Sequence, residues 1–504
     1  MHINLPSRRE FIRNSSMAAS LLLLLGTGGC ESILDQIKNR PIRRRINPSS
    51  TDSLADLQVY KDAILQMKSL PSSDKRSWWA QARIHGNLAD PPICANAGTY
   101  NFNLCQHGHW FFLPWHRAYL GHLEQICRKL TGVKQFGLPY WNWGLNRSVP
   151  SVFWGNNSNA LFESCRGVGP GDTLPAGIYS TSTLDSIMNE PNFLVFGSGY
   201  PSSDPRIPKG QGQLESNHGS VHGFTGGFMG AGGSAFDPIF YTHHCMIDYM
   251  WYEWNVNKGF DNPSDPLWFD HKWTNHFVNG DGDPVETQVG LTVLWPVFSY
   301  QYEPSQIGSF NAKDVLVQKS KKDIEDLKKR LEKGAAIELK TKKTIPFSRG
   351  EILFAKRSLT RQTEISISEF ISLVKDESKD KVLLNIGFAD FPPSNDFFVR
   401  VFINMPEANA DTPPDDIHYA GSFSFFGATG TKAHNEHNHK PLYLVDLSPT
   451  LVKMRKAGIL SEKEKLTIQL VTIPVAPNKV IGEEMLTLEE ISILVGETNV
   501  VQKK

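Results

Sequence analysis

Between residues 52 and 302 apolar positions recur at helical spacing in four stretches, Ser53–Lys68, His116–Leu130, His218–Phe224 and His243–Val256. That period predicts four helices, and with them a four-helix-bundle core. Long connections rich in Gly, Pro and Ser separate them, Asn146–Asn217 being the longest. Irregular loops of such length usually carry function. In the next segment, 303–344, the stretch Lys319–Lys340 is dominated by Lys, Glu and Asp, with Ile324, Leu327 and Leu331 on one helical face. It predicts an exposed linker helix open to proteases. From residue 345 to 504 the pattern shortens to β-type runs separated by turn residues: Glu364–Val374, Val382–Phe388, Phe397–Asn404, Tyr419–Phe426, Leu442–Leu447, Leu466–Ile473 and Leu488–Leu494. These predict an all-β sandwich, so the fold class expected is multidomain α + β. No internal repeat is present.

The N-terminus changes this picture only by subtraction. Ser7-Arg8-Arg9-Glu10-Phe11-Ile12-Arg13 resembles a twin-arginine export signal, and the apolar run Ala18–Leu25 is too short to span a bilayer. Residues 1–30 therefore read as a signal peptide, with an exported, periplasmic or cell-surface destination. Cys30 follows Gly28-Gly29 and is a candidate for a lipid anchor, although Thr27 stands where such signals usually have a large aliphatic residue. Residues 31–51, polar and basic with Arg43-Arg44-Arg45, read as a tether. Lys+Arg and Asp+Glu both number 52, which removes any electrostatic case for nucleic acid as a partner.

The chemistry lies in the histidines. His218 and His222 stand four apart, on one helical face where both imidazoles reach one metal. A zinc-peptidase helix has the same spacing but needs Glu directly after its first His, and here that position is Gly219. Phe236-Asp237-Pro238-Ile239-Phe240-Tyr241-Thr242-His243-His244 follows, with Asp248 one turn beyond His244. Upstream stand Cys105-Gln106-His107, then Phe112-Leu113-Pro114-Trp115-His116-Arg117, with His85 earlier at the end of a predicted short helix. Two groups of three neutral imidazoles, with no ligand-spaced Glu pair to bridge the ions, suit two copper ions. His434, His437 and His439 read as solvated residues of a polar loop.

Both segments resemble the two copper-binding signatures of the type 3 copper proteins, the tyrosinase, catechol oxidase and haemocyanin group. The resemblance spans most of residues 52–302 and implies that His85, His107 and His116 hold one copper and His218, His222 and His244 the other. It skips His109, His122 and His243. Tyr300-Gln301-Tyr302 is similar to the tyrosine motif closing the catalytic domain of plant polyphenol oxidases, and Phe397–Asn404 and Tyr419–Phe423 are similar to strands of their C-terminal domain. Cys105, two residues before His107, matches the position from which fungal relatives form a thioether to that histidine. With that bond made, Cys94 and Cys165 could pair, leaving Cys127 and Cys245 as buried thiols.

What the resemblance implies is oxidation of small ortho-diphenols by dioxygen, the main alternative being a haemocyanin-like oxygen carrier closed to phenols. Asp248, paired with Arg117, is expected either to orient a ligand or to serve with it as a plain structural ion pair. Hydroxylating a monophenol requires removal of a proton of pKa about 10. The family is thought to use a water held by a Glu and by an Asn just after His218. Glu215 is the candidate acid/base group, one residue closer to His218 than usual. Gly219 in the Asn position argues for diphenolase over monophenolase activity. The small residues of Gly226–Gly233 imply an open mouth over the first copper, around Gly232, or one partly closed by Phe228 or Met229. The C-terminal domain is expected to pack over the pocket as a lid.

Overall fold

The computed structural model describes residues 39–88, 92–263, 265–303, 335–346, 352–354, 358–368, 380–392, 396–426, 440–460, 465–476, 481 and 485–502. The signal segment, Cys30, most of the charged linker and the 434–439 histidines lie outside these residues. Among the described residues no helix is long and apolar enough to cross a membrane.

All four expected helices form, the first three longer than their apolar period alone indicates and the fourth starting four residues earlier: Thr51–Ser69, Phe112–Thr131, Gln213–Thr225 and Ile239–Tyr252. The Ser50 side chain accepts the Ser53 N–H at the start of the first, and Gly132, at φ 75°, returns its N–H to Arg128 at the end of the second. Phe112–Thr131 packs against both Thr51–Ser69 and Ile239–Tyr252. It is buried along most of its length, and tryptophans make up much of the surrounding core: Trp115, Trp141, Trp143, Trp251, Trp254, Trp268 and Trp273 are all buried.

Residues 40–46 are not a tether. Ile42–Arg43 pairs in parallel with Gln301–Tyr302, and Arg43 is completely buried. Its guanidinium meets Glu124 through two bonds of 2.9 Å, meets Asp248 at 2.8 Å, and lies 3.5 Å above the Tyr300 ring. Composition misled here: a basic run reads as solvated unless its counter-charges, far away in sequence, are known. Burial alone would raise the Glu124 carboxyl, but Arg43 and Arg128 outweigh it and hold it below its usual range.

Beyond residue 335 the chain forms two antiparallel sheets. One runs in the order Tyr419–Ser424, Phe397–Ile403, Lys465–Pro474, Leu359–Ser366; the other Leu442–Asp446, Asp380–Phe388, Met485–Gln502, Ala335–Pro346, with Ile352–Phe354 also on Met485–Gln502. The linker helix expected to reach Lys340 therefore gives way to strand at Ala335, and a helix, Ser448–Lys456, interrupts the expected all-β pattern. Phe397–Ile403 is buried at every position, which explains why it is apolar throughout except at Arg400. Val399, Val401 and Ile403 join the core between the sheets, while Phe398 and Phe402 join the core of the helical part.

Polar contacts also cross this junction. Leu444 N–H donates to Gln211 O, and Gln211 N–H to Leu442 O. Lys381 Nζ lies 2.9 Å from Glu190 and 3.0 Å from Asp446. Burial first, then Asp446, pushes Glu190 up to about 8; Asp446 is held low because Lys381 outweighs its burial. The Glu190 contribution is complete below the ordinary glutamate pKa of about 4.3 and is lost as pH rises through about 8. Stability should therefore decline over that window, and Glu190→Gln should flatten the decline in urea titrations run at several pH values. Arg43→Ala, which leaves Glu124 with only Arg128 and Asp248 with only Arg117, should cost about 3–5 kcal/mol in the same measurement.

Candidate metal centre

His85 closes the helix Trp78–His85; His116 sits in the second turn of Phe112–Thr131; His218 and His222 occupy successive turns of Gln213–Thr225; His244 lies in Ile239–Tyr252. The start of that last helix is pinned by the buried pair Arg166–Asp237, whose Oδ1 also accepts the Ile239 N–H, and by Tyr60 OH donating to Pro238 O. His107 alone belongs to neither helix nor strand.

These elements bring the six candidate ligands together as two adjoining groups. The Nε2 atoms of His85 and His107 are 3.3 Å apart; His244 Nε2 is 3.2 Å from that of His218 and 3.1 Å from that of His222. The rings of His116 and His244 stack across the two groups at 4.4 Å. Burial lowers the pKa of His85 to about 4, and burial, then mutual repulsion, holds the other five well below their usual value. Each is therefore neutral at physiological pH and offers a lone pair.

The other ring nitrogen settles which atom that lone pair occupies. His85 Nδ1 faces Gly232 O at 2.9 Å, His116 faces Phe112 O at 2.8 Å, His218 faces Glu215 O at 3.1 Å, and His222 faces Met229 O at 2.7 Å. A carbonyl can only accept, so Nδ1 carries the proton and Nε2 points inward. This donor set fits a pair of copper ions: two clusters of imidazole nitrogens within 4.8 Å of one another, with His116 Nε2 buried and without a protein partner.

Several expectations look different in place. Phe228 and Met229 do not line a mouth; both are buried, and the backbone carbonyls of Met229 and Gly232 orient ligands instead. Asp248 pairs with Arg117 at 2.5 Å as expected, but its other contacts are Arg43, Tyr300 and Tyr302, which makes it a structural hub of the core. Glu215 is buried, and burial pushes it up to about 8 despite bonds from Ser198 and Gly108. Cys94 and Cys165 form a disulfide, while Cys105, Cys127 and Cys245 are free buried thiols.

One neighbour of the centre was set aside in the sequence reading and another escaped it. His243 lies among His218, His222 and His244 as a fourth imidazole of that cluster. Phe426, from beyond the last residue of its strand, sits over the centre, its ring 4.0 Å from His222, 5.2 Å from His218 and 5.4 Å from His107. Ser424 Oγ donates to Ser216 O beside it. A Cβ at residue 219 would fall 2.5 Å from Ser424 Oγ and 2.9 Å from Phe426 Cβ. Gly219 is thus the one residue size that lets the covering segment seat. A lone Phe after a strand carries no signal of this, but a glycine interrupting a ligand helix does mark a close approach.

Two facing sets of buried imidazoles on a helical core define a binuclear metal protein. The family description "Common central domain of tyrosinase" matches residues 75–175 and 175–257. A tyrosinase of Hahella sp. (strain CCB-MM4) is 30% identical over 298 residues, covering 49% of this chain and 61% of that protein. A chloroplastic polyphenol oxidase of Malus domestica is 26% identical over 436 residues, covering 78% of this chain and 70% of the relative. In fold the chain is similar to latent aurone synthase, a polyphenol oxidase, with TM-score 0.63 at 20% identity over 91% of this chain and 90% of that one. It is also similar to latent apple tyrosinase, with TM-score 0.61 at 21% identity over 91% and 97%. Residues 75–257 thus match the central domain of tyrosinases, and the chain spans 61% of the length of the Hahella relative.

The seat at residue 219 is directly testable. Gly219→Ala should cost about 1–3 kcal/mol through overpacking against Phe426, read as a lowered unfolding midpoint. An unchanged midpoint would mean that the covering segment is not seated there.

Proposed function

We propose that this chain is a latent polyphenol oxidase that oxidises ortho-diphenols to ortho-quinones with dioxygen. The observation that carries the reading is the convergence of the Nε2 atoms of His85 and His107, and of His218, His222 and His244, with His116 between them. His85, His107 and His116 would hold one copper and His218, His222 and His244 the other. Bound copper supplies the redox relay between diphenol and dioxygen. The protein's part is to keep six imidazoles neutral and aimed, to exclude water around them, and to admit a flat ring along the face that Phe426 covers. We assign the oxidase chemistry to residues 40–302, with the two sheets beyond residue 335 as the layers of a covering sandwich. Twin-arginine export through residues 7–13 fits a protein that acquires metal while folded.

Latency rests on Phe426, which occupies the approach to His222 and His218 that a phenol ring would need. The two latent relatives of the same fold support it. The preference for diphenols rests on Gly219, which has no side chain to hold a proton-accepting water. Cys105 is the candidate partner for a thioether to His107, a bond that would lower the denatured mass by two hydrogens.

Purified chain should bind close to two coppers, and His116→Ala or His244→Ala should lose one. Cleavage within residues 319–340, with the C-terminal part removed, should raise catechol turnover while copper is retained. In that fragment catechols should be oxidised far faster than tyrosine or tyramine is hydroxylated, and Gly219→Asn should raise the hydroxylase share. Zinc in place of copper would overturn the assignment. A two-copper fragment that binds dioxygen yet turns over no catechol would make it an oxygen carrier.

A further inference from the structure

We infer that Glu215, held by Ser198, is the positioning group that locks His107 and sets the spacing of the two histidine groups. The inference rests on the dicopper reading above and concerns what holds one ligand in place. His107 differs from its five companions in two ways. Those five sit within helices or at a helix end, where main-chain bonds fix the backbone, whereas residues 103–109 form neither helix nor strand. Of the five rings with an Nδ1 partner described, the other four face main-chain carbonyls, while His107 Nδ1 faces a side chain, Glu215 Oε1, at 3.3 Å.

The same oxygen accepts the Gly108 N–H at 2.7 Å, so one carboxyl oxygen restrains both the imidazole and the backbone that carries it. The Gly108 amide can only donate, which makes Oε1 an acceptor and places the His107 proton on Nδ1. Its Nε2 lone pair then turns toward His85 Nε2, 3.3 Å away. Oε2 of Glu215 is paired with the Ser198 hydroxyl, which also accepts the Gly212 N–H just before the Gln213–Thr225 helix. With both oxygens so engaged, the carboxyl is better placed to orient a ligand than to hold a mobile water.

Glu215 also reaches the second group, since its own carbonyl faces His218 Nδ1 at 3.1 Å. One residue therefore orients a ligand in each group, and the rings of His107 and His218 stack 5.9 Å apart around it. Partners of this kind typically change metal affinity 10–100-fold when removed.

The test uses the full chain as Glu215→Ala, Glu215→Gln and Ser198→Ala. After timed exposure to a chelator, copper per chain is counted. Glu215→Ala should lose one of its two coppers at least about 10-fold faster than the unmodified chain. Glu215→Gln, whose amide oxygen can still accept from His107 and Gly108, should hold both, and Ser198→Ala should fall between. A second readout needs no metal: in copper-free chain labelled with 15N at histidine, the slowly exchanging His107 Nδ1–H signal should vanish in Glu215→Ala and persist in Glu215→Gln. Retention of both coppers in Glu215→Ala, or equal loss from both sites, overturns the inference. Should Glu215→Ala fail to fold, Glu215→Gln behaving as a copper-losing variant overturns it equally. An unmodified chain that binds no copper but keeps the His107 signal overturns the dicopper reading and leaves the lock standing.

Discussion

Everything in this structure answers to one requirement, that six imidazoles be buried neutral with their lone pairs turned to a common space. Burying a polar ring is unfavourable unless its remaining N–H finds an acceptor. Helices supply that acceptor cheaply: the Phe112 carbonyl sits one turn before His116, and the Glu215 carbonyl one turn before His218. Where the helix cannot, the loop of small residues after Thr225 folds back and offers the carbonyls of Met229 and Gly232. The glycines of that loop are explained by close approach of other backbone, Cys165 beside Gly227 and Asn101 beside Gly232, which is a different reason from an open entrance.

The helices themselves are held by a charge cluster on the far side of the ligand helices. Arg43 and Arg117 face Glu124 and Asp248, capped by the hydroxyls of Tyr300 and Tyr302. Glu124 belongs to the helix of His116 and Asp248 to that of His244, so the cluster ties one ligand helix of each group to the other. Desolvation makes such a cluster costly unless every member is paired, and here two cations meet two carboxylates with aromatic hydroxyls taking up the remaining acceptor capacity. The N-terminal strand thereby becomes part of the metal protein's frame.

How far the sequence disclosed this depends on whether the relevant partner is near in the chain. Helix and strand patterns are local, and the runs from Ser53 to Val256 and from Val382 to Leu494 were legible because apolar spacing reports the element directly. The ligand histidines were legible because helical spacing and two long signatures frame them. Arg43 was misread because its carboxylate partners lie 81 and 205 residues away. Phe426 was invisible for the same reason, as it touches His222 only once the sheets have folded over the helical part. The helix Ser448–Lys456 was missed between two strong β-patterned runs, and the charged period near Lys340 was extended past the point where strand pairing with Met485–Gln502 takes over.

Gly219 shows how one position can answer two questions at once. Read alone, its missing side chain speaks only of substrate, since nothing there can hold a water beside a phenol. In the folded chain the missing side chain is also the space that Ser424 and Phe426 fill. A larger residue at 219 would collide with Ser424 and Phe426, so the reach of the covering segment and the residue allowed beside His218 are not independent. Strand Tyr419–Ser424 pairs with Phe397–Ile403, which is buried on both faces, one against the other sheet and one against the helical core. The segment over His222 is thereby joined to both cores, and Gly219 is the point at which it meets a ligand helix.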